Sequence, residues 1–140
     1  MSTPTRITKA QALAALEAAV ADYGEDFVDP NVGGAGFCAY TYELDGRVCH
    51  CIAGRALVEL GVPIPDERGD RDVASCSLTS SGGGPARRQW AATFPEVPYP
   101  PLTNAAARVL GAAQDAQDVG RTWGDALAAA RKAMTPGGAA

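Results

Sequence analysis

Gly36-Phe37-Cys38-Ala39-Tyr40-Thr41-Tyr42-Glu43-Leu44-Asp45-Gly46-Arg47-Val48-Cys49-His50-Cys51-Ile52-Ala53-Gly54-Arg55-Ala56-Leu57, followed by Leu60-Gly61-Val62-Pro63, is the stretch whose pattern sets the expected fold. Asp45-Gly46 lies between alternating segments, and this dipeptide tolerates the positive φ angles that a type I′ turn requires. A two-residue loop there sets Leu44 opposite Arg47, Tyr42 opposite Cys49 and Tyr40 opposite Cys51. Side chains alternate across a strand, so Cys38, Tyr40, Tyr42, Cys49 and Cys51 share one face. Phe37, Ala39, Thr41, Glu43, Val48 and His50 share the other. The cysteine and tyrosine face is expected to turn inward, because a free cysteine behaves as a small hydrophobe. The single histidine then points away from its cysteine neighbours.

Beyond the hairpin, Ile52, Ala56, Leu57 and Leu60 form one face of a helix of about three turns, stopped by Gly61 with Pro63 just past it. Gly54 inside that helix costs roughly 1 kcal/mol against alanine, a loss that close packing of the backbone against another element offsets. Upstream, Thr8 caps an amphipathic helix with Ala12, Leu13, Leu16, Ala19, Val20 and Tyr23 at spacings of three and four, ending at Gly24. Phe27 and Val28 are expected to tuck under the core. Downstream, Thr103 caps a helix carrying Ala106, Val109, Leu110, Ala113 and Ala116 as far as Gly120. Thr122 caps a last helix with Trp123, Ala126, Leu127, Ala130 and Met134 on its apolar side, and Asp125 in the position of a capping-box acid. The short Val119-Gly120-Arg121 connection makes these two helices an antiparallel pair. Between the two halves, residues 65–101 lose periodicity, an irregular length that compact domains reserve for functional or mobile segments. A short helix at Ala86–Thr93 is the one element expected there, and residues 135–140 form a frayed, disordered tail.

The composition fits one globular domain over 1–140: 46% hydrophobic and 20% charged residues over 140 positions are enough for a real core. A formal charge of −4 and a pI near 4.9 argue against nucleic acid as the main partner. No apolar run follows the N-terminus as in a signal peptide, and Gln11 and Glu17 interrupt the alanine-rich run at 10–21, so no membrane span is expected. The four cysteines are then expected as reduced thiols in a cytoplasmic protein.

No motif completes a reaction centre. Cys38, Cys49 and Cys51, with His50 and Cys76, invite a metal, but structural zinc sites draw on C-x₂₋₄-C knuckles that are absent here. Small thiols packing a hairpin–helix core are the simpler account. Adjacent strand residues point oppositely, so without a bulge there His50 cannot reach Cys49 or Cys51 to activate it. Neither Gly33-Gly34-Ala35-Gly36 nor Gly82-Gly83-Gly84-Pro85 continues into a phosphate-binding Gly-Lys-Ser/Thr. Arg87, Arg88, Trp90, Phe94 and Tyr99 are the candidate binding residues of the long loop. Arginine and tryptophan recur at protein interfaces, and two arginines in an acidic chain give thin support to a nucleic-acid role. Gln114, Gln117 and Asp118 share one helical face, for which a structural role, holding the hairpin backbone or the start of the next helix, is favoured over a solvated patch.

Two sets of residues carry a resemblance. Cys38-x-Tyr40 with Cys51-Ile52-x-Gly54-x-x-Leu57-x-x-Leu60-Gly61-Val62-Pro63 is one. Leu102-Thr103 leading to Ala113-Gln114-x-x-Gln117-Asp118-x-Gly120-x-x-Trp123-Gly124-x-Ala126-Leu127 is the other. Together they resemble small uncharacterised proteins of actinobacteria and their phages, over the hairpin–helix and the C-terminal helix pair; the segment Asp70–Pro101 is longer here. The resemblance implies a source and a core rather than an activity. Small phage proteins of this kind often act by binding and redirecting a host protein, which is an association and not a physical derivation.

The expected fold is therefore α+β, with about four helices covering a two-stranded antiparallel hairpin that is marginal alone. The expected function is a non-enzymatic interaction protein, derived from a phage or mobile element, binding a host or viral protein through Asp66–Pro101 without a cofactor. A metal- or nucleic-acid-binding regulator using the cysteine face or Arg87 and Arg88 is the alternative, and an enzyme of unrecognised type is a third.

Overall fold

Among the described residues, three threonines start three of the four named helices, each by the same hydrogen bond. The computed structural model describes residues 6–28, 42–44, 47–64, 88, 90–91 and 95–135, with the side chains of 42–44, 47–49 and 118 outside that description. Helix α1 spans Lys9–Tyr23; Thr8 Oγ1 accepts the Gln11 amide at 3.2 Å and Gln11 Oε1 accepts the Thr8 amide at 2.9 Å, a reciprocal box. It ends at Gly24, whose φ of 106° only glycine adopts without strain. Helix α2 is Ile52–Glu59, helix α3 is Asn104–Asp118 and helix α4 is Trp123–Ala133. Thr103 caps α3 and Thr122 caps α4 through their hydroxyls.

The N-terminal approach pairs with the approach to α3. Ile7 N–H donates to Pro101 O at 2.7 Å and Thr103 N–H donates to Ile7 O at 3.0 Å, making a parallel bridge between Ile7 and Leu102. Both aliphatic side chains are buried. Each is followed by a threonine cap and a 15-residue helix, so α1 and α3 start side by side. Leu16, Ile52, Leu57, Leu110, Trp90 and Trp123 fill the space between the helices. The burial of each stabilises on the order of 1.5–3 kcal/mol before entropy is counted.

The start of α4 is docked on the end of α1. Trp123 N–H donates to Phe27 O and Gly124 N–H donates to Glu25 O, both at 2.8 Å, while Asp125 N–H reaches Thr122 Oγ1 at 3.1 Å. Three donors that a helix start leaves open are thus satisfied. The same contact stacks Trp123 on Tyr23 (4.4 Å) with Phe27 edge-on to both rings.

The α+β expectation is corrected to a helical fold. The described core is built by α1 to α4, with Trp90 and the chain around Ile7 and Leu102. Strands β1 (Tyr42–Leu44) and β2 (Arg47–Cys49) pair antiparallel over three residues each, Tyr42 opposite Cys49, and none of their side chains is among those described. Among the described residues no sheet layer for the helices to cover is shown. Tyr40, the expected partner of Cys51, lies outside the described residues, but Cys51 itself is in no strand. The strand stops at Cys49, and Cys51 becomes the cap of α2, its Sγ accepting the Gly54 amide at 3.3 Å. Asp45 and Gly46, the expected turn, lie outside the described residues. So do Cys38, Tyr40 and most of 65–101. Helix α2 is shorter than expected, and Val28, expected underneath the core, is 44% exposed.

Candidate functional site

Among the described residues of the long irregular region, the indole of Trp90 is the most deeply buried group. Arg88, Trp90 and Ala91 have helical backbone, with Arg88 and Ala91 exposed and Trp90 fully buried. Trp90 Nε1 donates to Val97 O at 2.8 Å, and Tyr99 packs edge-on against the indole with ring centres 5.6 Å apart. Pro100 is buried, and Pro101 O takes the Ile7 amide. Residues 95–101 therefore form a strap held at Val97, Tyr99 and Pro101. Pro95, Glu96 and Pro98 are exposed along it, as is Arg88.

A second polar arrangement lies at the start of α2. Gln117, fully buried on α3, accepts the Ile52 amide on its Oε1 at 2.7 Å. Tyr23 OH accepts the His50 amide at 3.2 Å, and His50 is half-buried. With the Cys51 cap, the first turn of α2 is held by a thiol and a carboxamide that the chain supplies from α3. Farther along α2, Arg55 binds Asp22 at 3.1 Å and Glu59 at 3.2 Å. Burial pulls its guanidinium down, but these hydrogen bonds and charges outweigh burial and leave it above its ordinary value. On α3, partial burial pushes the Asp115 carboxyl up.

The candidate binding residues divide. Arg88 is exposed; Trp90 is withdrawn into the core; Tyr99 is half-buried against it; Arg87 and Phe94 lie outside the described residues. Of the candidate metal ligands, Cys51 is a buried free thiol committed to capping α2, and the side chains of Cys38 and Cys49 are outside the description. Among the described residues no three His, Cys, Asp or Glu side chains gather around a common point. The sharing of one face by Gln114 and Gln117 is visible in the spacing, and both are buried. What spacing does not show is the partner, the backbone of α2 rather than of the next helix. The Val97 carbonyl was not legible as a partner at all, since a backbone acceptor leaves no mark in a sequence. No described helix is long and apolar enough to cross a membrane. No protein-family model, curated protein or solved structure matches the chain.

Proposed function

We propose that the chain is an interaction protein, binding another protein through Arg88 and the outward side of the 95–101 strap. The observation that carries this reading is the 2.8 Å bond from Trp90 Nε1 to Val97 O. It fixes an otherwise irregular, proline-rich segment in one conformation, which lowers the ordering entropy a partner must overcome. Pro95, Glu96 and Pro98 are then presented as a preformed edge, and Arg88 supplies a cation of the kind that recurs at binding hot spots. The residues that do the holding, Trp90 and Tyr99, act behind the contact rather than in it. A source in an actinobacterial phage or mobile element, a host or viral partner, and the cytoplasm as compartment rest on the resemblance and composition alone.

A photo-crosslinking side chain placed at Glu96, in cells of the source, tests the reading. It is expected to capture one protein that the same group at Ala10, exposed on α1, does not capture. Arg88→Ala is expected to weaken binding of that purified protein about tenfold, the scale of a hot-spot arginine. Equal capture from both positions, or none from Glu96, removes the reading.

A further inference from the structure

The outer face of α4 carries a pattern that is its own complement. Asp125, Ala128, Ala129 and Lys132 line, with Ala116 of α3 and Arg121 of the connecting turn, an open groove of about 510 Å³. Asp125 and Lys132 are seven residues apart, so they lie on one side of the helix about 10 Å apart along its axis. Midway between them sit Ala128, exposed, and Ala129, half-buried. The ion pairs given by the described residues are those of Arg55 with Asp22 and Glu59 and of Arg131 with Glu17, so Asp125 and Lys132 stand unpaired there.

We infer that this groove is a self-association face, occupied by α4 of a second copy of the chain running antiparallel. A two-fold axis between Ala128 and Ala129 sets Lys132 of each copy opposite Asp125 of the other. It also sets Ala128 of each against Ala129 of the other. Such a contact is isologous, as closed dimers require. The alanines let the helix axes approach to about 8 Å, the close end of helix packing. The two charge pairs, being at the rim, set direction and register more than affinity. One helix face per copy is a small interface, so association is weak and concentration-dependent, in the micromolar range. This inference is independent of the strap, and either can stand without the other.

Sedimentation velocity between about 10 and about 500 μM, a range bracketing such an affinity, reads the result directly. The wild-type chain is expected to pass from monomer to dimer. Asp125→Lys and Lys132→Asp are each expected to remain monomeric, because each sets two like charges face to face twice. An equimolar mixture of the two variants is expected to recover dimers, since one copy then carries both lysines and the other both aspartates. The double variant D125K/K132D is expected to dimerise like the wild type. Ala128→Arg, a change on an exposed position that leaves both charges in place, is expected to abolish the dimer by bulk. A wild type monomeric throughout, single variants or A128R that dimerise as the wild type does, or a mixture that stays monomeric each overturns the inference.

Discussion

Trp90 and Trp123 are both fully buried, yet their indole N–H groups meet opposite fates. Trp90 Nε1 holds the Val97 carbonyl, whereas Trp123 Nε1 finds no acceptor among the described residues. Replacing each with phenylalanine removes a similar volume, so the difference between the two variants isolates the hydrogen bond. Trp90→Phe strands a carbonyl, which costs about 1–3 kcal/mol; Trp123→Phe removes a donor that was already unsatisfied. Urea unfolding is expected to show Trp90→Phe the more destabilised of the pair by about 1–2 kcal/mol. A sequence reveals that a tryptophan is large and apolar, but not which side of it faces water. That is why Trp90 reads as a surface anchor when taken with Arg87 and Arg88 alone. The contact that turns it inward comes from Val97 and Tyr99, beyond the reach of any local periodicity. Thr8, Thr103 and Thr122 were legible because a cap is decided within three residues.

At the scale of elements, the docking of α4 on the end of α1 depends on one missing methyl group. A Cβ built on Gly124 falls 3.0 Å from the Glu25 carbonyl oxygen and 3.2 Å from its Cβ. In a free helix, Gly→Ala gains about 0.5–1 kcal/mol. Here the gain is opposed by overpacking that costs about 1–3 kcal/mol and by lengthening of the bond from Gly124 N–H to Glu25 O. Gly124→Ala is expected to lower stability by about 1 kcal/mol in thermal unfolding, the reverse of the propensity rule. The elements themselves were largely legible for the helices, and the α+β class was not. Alternation from Phe37 to Cys51 has the period of a strand, but a thiol at Cys51 that accepts the Gly54 amide starts a helix instead. Cysteine is an uncommon cap, so the pattern alone gave no reason to stop the strand there.

For the molecule as a whole, the acid range carries a readable term. Asp115 lies on the exposed side of α3, and partial burial of its carboxyl raises it in the folded state. A carboxyl raised on folding binds its proton more tightly in the native chain, so its ionisation opposes the fold. Below the unfolded carboxylate value both states are protonated and the group contributes no difference. As pH rises through the carboxylate range the native state bears the cost. Asp115→Asn is therefore expected to match the wild type near pH 3 and to be the more stable of the two near pH 7, as measured by urea midpoints across that range. The pairing of Ile7 with Pro101 and Leu102 has a bearing on synthesis. A ribosome releases the start of α1 long before it makes the backbone that clasps it, so the nascent chain carries Ile7 uncovered until the second threonine-capped helix emerges. Translation arrested before that point leaves a product whose N-terminal helix has no completed seat, an early substrate for chaperones and proteases.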